Sequence, residues 1–213
     1  MFNFKNIELI IGNSGRNFSG GTSITIQLLD YQEKEMNLAV LGSRFIPNHI
    51  KTLNYFQFLL LTRTKLPNGK LRVFYTRKNN EMIQGLIAKY IFRSKIKIIF
   101  SSSAQRSHTK FTKWLMSKMD SIVSTSKKAG SYLIKEPDKI ISHGIDLNRF
   151  NVPEDKDKAW QALGFPGSIG IGIFGRVRYS KGIDILVDAA LEVLPKHPLA
   201  TVIICGEIQF EDQ

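Results

Sequence analysis

The chain has 213 residues, 43% of them hydrophobic, which is enough for one complete hydrophobic core and the beginning of a second. Its single cysteine, Cys205, excludes an internal disulfide, and its longest strongly apolar run, residues 56–61, is far shorter than the roughly 20 residues of a membrane-spanning helix. The formal charge of +12 divides into +15 over residues 1–150 (24 Lys and Arg against 9 Asp and Glu) and −3 over residues 151–213 (6 against 9).

This charge asymmetry favours a polyanionic partner for the first part of the chain: nucleic acid, an anionic membrane face or a phosphorylated glycolipid. Nucleic acid is the least favoured of the three, because the basic residues are dispersed and no nucleic-acid-binding module is recognisable. Residues 1–12 have the pattern of a buried strand, with Glu8 inside it, and not that of a signal peptide. We therefore expect a cytoplasmic protein, which also fits the single cysteine.

Six short apolar runs rich in β-branched residues recur through the first 150 residues, separated by segments long enough for helices. They are residues 7–11, 37–41, 71–75, 96–100, 121–125 and 139–141. This rhythm is typical of an α/β domain with a doubly wound, Rossmann-like parallel sheet. Helical spacing is clearest in residues 108–119, where Phe111, Trp114, Leu115 and Met119 are predicted to share the face that packs on the sheet.

The composition changes after Phe150, which predicts a domain boundary there. A charged stretch and the breaker run 164–167 lead into a predicted strand 169–174, a helix 183–194 and a second strand 201–205. Two parallel strands are too few for a sheet that is covered on both faces. We therefore expect residues 1–150 to form an N-terminal Rossmann-like domain and residues 151–213 to form the start of an incomplete C-terminal one, in a chain that is truncated or a fragment.

Glycine and polar residues follow the first predicted strand, from Gly12 to Thr22. Gly20 and Gly21 precede a predicted helix, where glycine permits close backbone approach and free amides bind anions or sugar hydroxyls. The spacing matches neither a dinucleotide-binding G-x-G-x-x-G motif nor a phosphate-binding P-loop. A turn and helix cap without any ligand explains these residues equally well.

A second polar group, residues 77–81, follows the third predicted strand at the carboxyl edge, where open α/β sheets bind their ligands. Arg77 is suited to hold a phosphate or carboxylate. Asn79 and Asn80 either bind sugar hydroxyls or cap the next helix. Glu81 is interpreted as a charge that complements the helix dipole.

Residues 101–108 follow the fourth predicted strand and end in His108, the best candidate among four histidines for acid–base or hydrogen-bonding chemistry. A purely structural histidine is the alternative. His143, which follows the last strand of the first domain, is interpreted as part of a structural turn. The sequence contains no zinc-ligand spacing and no G-x-S-x-G turn, which disfavours metalloenzymes and hydrolases.

The strongest motif is the loop 174–182, between a predicted strand and a predicted helix. Arg176 and Lys181 lie five residues apart on it, so that two cations can surround a diphosphate while glycines keep the backbone close. A departing nucleotide diphosphate gains negative charge in the transition state of sugar transfer, so fixed cations lower that barrier. A solvated basic turn is the alternative interpretation.

The pairs Gly175-Arg176 and Lys181-Gly182 resemble the donor-phosphate loop of retaining glycosyltransferases with the GT-B fold, in family 4. Other segments resemble the lipopolysaccharide core mannosyltransferases of alphaproteobacteria: residues 19–23, 77–82, 103–109, 111–114 and 143–146. The resemblance implies retaining transfer of mannose from GDP-mannose to the lipopolysaccharide inner core. It also implies a location on the inner face of the inner membrane and no required metal or other cofactor.

The residues that the resemblance places at the reaction are Gly20, Gly21, Arg176 and Lys181 on the donor side, and Arg77, Asn79, Asn80 and His108 around the acceptor or the reacting sugar. Two features depart from the family. Serines at 101–103 replace its usual histidine after a first-domain strand, and its pair of glutamates seven residues apart is expected beyond Gln213. The alternative function is therefore a catalytically inactive remnant that binds anionic glycolipid or a membrane surface through the basic first domain.

Overall fold

The computed structural model describes residues 4–147 and 150–208, and the chain divides into two compact units, 1–147 and 148–213. Within residues 4–147 the first unit contains a sheet of seven parallel strands, in the order β3-β2-β1-β4-β5-β6-β7. The strands are β1 Leu9–Gly12, β2 Leu38–Leu41, β3 Thr52–Leu53, β4 Arg72–Thr76, β5 Ile96–Ser102, β6 Ser121–Ser124 and β7 Lys139–Ile140. The order reverses between β1 and β4, as in doubly wound folds, so the predicted fold class is confirmed.

Helices cover both faces of this sheet. They are α1 Gly20–Glu35, α2 Tyr55–Thr62, α3 Asn79–Leu86, α4 Lys110–Met116 and α5 Lys127–Gly130, and α3 continues as a π-helical turn, Ile87–Ile91. One core, which includes Phe58, Phe74 and Met82, lies between the sheet and the layer of α2, α3 and α4. A smaller core, with Leu29 of α1 and Val40 of β2, lies on the opposite face.

The six strands predicted for the first domain are confirmed, with ends within two residues of the structure. Strand β3, which pairs with β2 at the edge of the sheet, is not among the predicted strands. Leu53 is the one apolar residue of β3 and polar residues flank the strand, so it shows no apolar run, whereas the equally short β7 is recognised because Ile141 extends its apolar run. The β2–α2 connection therefore showed no strand signal.

The predicted packing face of α4 is wrong in part. Thr112, Leu115 and Met116 are the buried residues of α4, whereas the side chains of Phe111 and Trp114 are exposed and stack on each other with ring centroids 6.0 Å apart. A helix of seven residues buries one narrow stripe at positions i, i+3 and i+4, and Thr112 occupies the place in that stripe that the prediction gave to an aromatic residue.

The second unit contains one parallel pair of strands, β8 Ile169–Phe174 and β9 Ala200–Cys205, within residues 150–208. Helix α6 Lys156–Ala162 precedes the pair, and α7 Ile183–Val193 connects the two strands. The predicted strand–helix–strand order is confirmed. None of the helices within the described part of the chain combines the length and apolar character that crossing a bilayer requires.

Candidate functional site

A pocket of about 250 Å³ lies in the first unit between α1 and the sheet. Residues of β1, β4 and α1 form its apolar wall. Its polar lining includes Thr25, Arg77, Lys78, Ser101, Ser103, Thr125 and His143. Most of these polar residues come from the carboxyl ends of strands β4 to β7 or just beyond, which is the edge where open α/β sheets bind ligands.

Of the two glycines at the start of α1, Gly21 is one of the residues that line this pocket. Ser19 caps α1, and its hydroxyl accepts a hydrogen bond from the backbone N–H of Thr22 at 3.3 Å. A Cβ at Gly20 would meet nothing within 4 Å, and one at Gly21 would lie 3.8 Å from the Ser19 hydroxyl. Packing within the chain therefore does not require glycine at either position.

Hydrogen bonds from Arg77 connect the turn at the start of α1 to the end of β4. Its guanidinium donates hydrogen bonds to the carbonyl oxygens of Gly21 at 2.7 Å and Gly12 at 3.3 Å, and to the hydroxyl of Thr25. Its Nε is buried and has no hydrogen-bond partner in the structure. The side chain thus shapes the pocket wall while its positive charge borders the cavity.

Glu81 is a buried carboxylate that joins two of the loops at the pocket. Its two oxygens accept hydrogen bonds from the amide and hydroxyl of Ser14 at 3.1 and 3.0 Å, and from the amides of Arg77 and Lys78 at 2.7 and 3.2 Å. Four donors satisfy both oxygens of an ionised carboxylate. The helix-dipole interpretation missed this role, because Ser14 and Glu81 are 67 residues apart in sequence.

Asn79 and Asn80 are the first two residues of α3, whose N-cap is Lys78, so neither caps the helix and the capping alternative is wrong. The amide of Asn79 donates to the hydroxyl of Thr112 in α4 at 2.8 Å. Asn80 is exposed. Neither residue is among those that line the pocket described above.

His108 lies beyond the end of β5, where its Nε2 is 3.4 Å from the hydroxyl of Ser102. Partial burial lowers the pKa of His108, and the positive charges of Arg106 and Lys113 lower it further. Another histidine, His143, lines the pocket instead. Its position directly after the last strand was the available signal, since residues at strand carboxyl ends meet at one edge of the sheet.

The second unit places Arg176 and Lys181 on the loop between β8 and α7. Gly175 begins this loop with a φ of +139°, and Gly182 ends it with a φ of +70°, both of which favour glycine. A Cβ on Gly206 would lie 1.7 Å from the carbonyl oxygen of Gly175. The backbones that follow β8 and β9 are therefore too close together for a side chain at position 206. Lys181 is exposed and Arg176 is partly buried.

No protein-family model matches the chain. The chain is 38% identical over 212 residues to the lipopolysaccharide core biosynthesis mannosyltransferase LpcC of Rhizobium leguminosarum bv. viciae. It is 36% identical over 209 residues to the corresponding mannosyltransferase LpsB of Rhizobium meliloti strain 1021. The chain resembles lipopolysaccharide core mannosyltransferases along nearly its whole length. The resemblance inferred from the motifs is therefore confirmed.

These alignments cover 99% and 97% of this chain but only 59% and 58% of LpcC and LpsB, so the chain spans less than two thirds of the relatives it matches. The structure of Anabaena Alr3699/HepE, in complex with UDP and glucose, matches 97% of this chain and 63% of that protein with a TM-score of 0.68. The sequence identity is 15%, so this match shows a common fold. The predicted GT-B type architecture is confirmed.

Proposed function

We propose that the chain is the larger part of a retaining glycosyltransferase that transfers mannose from GDP-mannose to the lipopolysaccharide inner core. The observation that carries the proposal is 38% identity to the mannosyltransferase LpcC along 99% of the chain. Residues 1–150 are the acceptor-side domain, and residues 151–213 begin the nucleotide-sugar-binding domain. The protein works in the cytoplasm at the inner face of the inner membrane, where its basic first domain meets anionic lipid.

The donor diphosphate is bound by Arg176 and Lys181. Both lie on the β8–α7 loop, beyond the carboxyl end of β8, and glycines at both ends of the loop let its backbone approach a ligand. When the bond between mannose and GDP breaks, negative charge accumulates on the diphosphate. Fixed cations stabilise that charge without a metal ion, because they need not reorganise as the charge develops.

The acceptor and the reacting mannose meet the first domain. Gly20 and Gly21, at the start of α1, serve the donor side. Packing within the chain does not require glycine at either position, so the missing side chains leave room for the donor. Arg77, Asn79 and Asn80 supply polar groups for acceptor or sugar. His108 supplies acid–base or hydrogen-bonding chemistry as a neutral imidazole, since its surroundings lower its pKa.

Donor binding tests the proposal most directly. Calorimetric titration of the chain with GDP-mannose, and with UDP-glucose for comparison, should show binding of GDP-mannose. Arg176→Gln and Lys181→Gln should each weaken that binding about tenfold, since a hydrogen bond to a charged group contributes about 1.5–3 kcal/mol. Lys196→Gln is the matched control, because Lys196 is an exposed lysine of the same unit outside the loop. Equal affinity in all three variants would contradict the assigned diphosphate site.

Turnover tests the reaction. Incubation of the complete enzyme, of which this chain is the proposed larger part, with GDP-mannose and a lipopolysaccharide core acceptor lacking the mannose should give a mannosylated product in the presence of EDTA. The anomeric proton in the NMR spectrum should show the same configuration as in the donor. Vesicle or glycolipid binding that GDP-mannose does not affect, with no product, would instead support the inactive remnant.

A further inference from the structure

The helical layer formed by α2, α3 and α4 exposes apolar side chains on its outer surface. Each of three successive helical segments contributes one pair on its outer face. The pairs are Phe56 and Leu60 of α2, Ile87 and Ile91 of the π-helical turn, and Phe111 and Trp114 of α4, here termed the apolar patch. The side chains of Ile91 and Trp114 are 69% and 54% exposed. Phe111 and Trp114 stack with their ring centroids 6.0 Å apart, and contiguous exposed apolar surface of this kind marks a contact surface.

The three helices that carry the apolar patch are direct neighbours. The hydroxyl of Tyr55 in α2 donates to the carbonyl oxygen of Gln84 in α3 at 3.0 Å. The amide of Asn79 in α3 donates to the hydroxyl of Thr112 in α4 at 2.8 Å. The apolar patch therefore belongs to one layer on one face of the sheet.

The segments that carry the apolar patch are strongly basic. Segments 54–65, 79–95 and 108–119 contain the basic residues Arg63, Lys65, Lys89, Arg93, Lys95, Lys110, Lys113 and Lys118. Their one acidic residue, Glu81, is fully buried. The adjoining Asp120 is bonded to Lys89 at 2.6 Å and Lys97 at 3.1 Å. Glu81 aside, the charged residues of these segments are therefore all basic, and Asp120 offsets part of that charge at Lys89.

An anionic bilayer surface complements this combination. Aromatic side chains insert at the level of the headgroups, where tryptophan and tyrosine are favoured, and surrounding Lys and Arg side chains pair with anionic lipid. Tyr90, which is exposed beside Ile91, has its ring 5.9 Å from the ammonium of Lys89. This arrangement gives both an apolar anchor and an electrostatic attraction, and stable membrane binding usually needs two such contributions.

We propose that the helical layer of α2, α3 and α4 docks the protein on an anionic membrane, with the apolar patch inserted among the headgroups. This deepens the proposed function, whose acceptor is a membrane glycolipid, by assigning the surface that meets the bilayer. The test contains no nucleotide sugar. Its outcome is therefore separate from that of the GDP-mannose experiments.

Trp114 reports directly on insertion. The chain contains two tryptophans, so Trp160→Phe leaves Trp114 as the only one. With vesicles of phosphatidylglycerol and phosphatidylethanolamine, the emission of Trp114 should shift to shorter wavelength, and lipids brominated near the headgroup should quench it. Phosphatidylcholine vesicles should produce neither effect, and high salt should weaken the binding.

Co-sedimentation with the same vesicles measures the contribution of the apolar patch. The double variant F111S/W114S should bind about tenfold more weakly than the wild type, since both side chains lose their burial in the headgroup region. The matched control is Tyr31→Ser, which removes an exposed aromatic ring from α1 on the opposite face of the sheet. Circular dichroism verifies that both variants fold.

Three results would overturn the proposal. The first is the absence of wild-type binding to anionic vesicles. The second is equal vesicle binding by F111S/W114S and the wild type, or binding that leaves Trp114 unquenched. The third is concentration-dependent dimerisation that shifts the Trp114 emission without lipid, which would assign the apolar patch to a second copy of the chain.

Discussion

Gly12 and Glu81 are in direct contact, and the contact requires a glycine. A Cβ placed on Gly12 would lie 2.9 Å from Cγ and 3.0 Å from Cδ of Glu81, closer than real side chains approach each other. Glu81 is fully buried, and its four hydrogen bonds fix it in place. The backbone at the end of β1 therefore packs directly against the Glu81 carboxylate of α3, which leaves no room for a side chain at position 12.

Gly12→Ala should lower the free energy of unfolding by about 1–3 kcal/mol, because the added methyl group displaces a carboxylate that has no free space around it. Gly20→Ala is the matched control. A Cβ there meets nothing within 4 Å, so its effect should stay within about 0.5 kcal/mol. Urea unfolding measures the free energy of unfolding of both variants. Equal values would show that β1 and α3 move apart to accommodate a methyl group without loss of stability.

Gly20→Ala also tests the assigned ligand approach at the start of α1. The variant should fold as the wild type does but bind the proposed sugar substrates more weakly, since the new methyl group occupies space that the chain itself leaves open. Calorimetry with GDP-mannose and with the core acceptor measures the affinity for each. Unchanged affinity for both would leave Gly20 with a role in the turn alone.

Glu81→Gln should lower the free energy of unfolding by about 1–3 kcal/mol, because it replaces one acceptor oxygen with an amide that donates toward N–H groups. Whichever oxygen is replaced, either Ser14 or the amides of Arg77 and Lys78 lose their acceptor. Glu35→Gln, on an exposed residue at the end of α1, is the control. The idea fails if the two variants unfold at the same urea concentration.

The sequence predicts the sheet well, because every strand of four to seven residues contains Val or Ile within an apolar run that stands out locally. The two-residue strand β3 lacks such a run. Open α/β sheets bind ligands at the carboxyl ends of their strands, and on that ground the sequence predicts Arg77 at the edge of the sheet where the pocket lies. The same reasoning applied to His143 would have placed that residue at the pocket too.

Contacts that depend on the approach of distant segments could not be predicted in this way. The hydrogen bonds between Glu81 and Ser14 exist only because β1 and β4 are adjacent in the sheet, which no local pattern around Glu81 encodes. The exposure of Phe111 and Trp114 has a similar cause. Their hydrophobicity predicts burial, but the short helix α4 packs through Thr112, Leu115 and Met116.

Arg77→Lys should destabilise the first unit by about 1–3 kcal/mol although it retains the charge, because one ammonium cannot replace a planar guanidinium that bonds two carbonyl oxygens and a hydroxyl. Arg16→Lys, at an exposed position in the β1–α1 connection, is the matched control and should change little. Thermal unfolding followed by circular dichroism compares them. A similar melting temperature for both would mean that Arg77 does not hold the glycine turn.

His108 should make the stability of the first unit depend on pH. Burial, and then the charges of Arg106 and Lys113, lower its pKa in the folded state, so the unfolded chain binds a proton more readily than the folded one. The resulting stabilisation is complete above the ordinary histidine pKa of about 6.5, and it is lost as the pH falls toward the lowered value of the folded state.

The comparison of wild type with His108→Gln isolates this contribution, because glutamine does not titrate. The wild type should lose more free energy of unfolding than the variant between pH 8 and pH 5, as measured by urea unfolding at each pH. Equal losses would mean that the imidazole is as easily protonated in the folded chain as in the unfolded one. A larger loss in the wild type would agree with the proposed role, since a neutral imidazole can accept a proton from a reacting hydroxyl group.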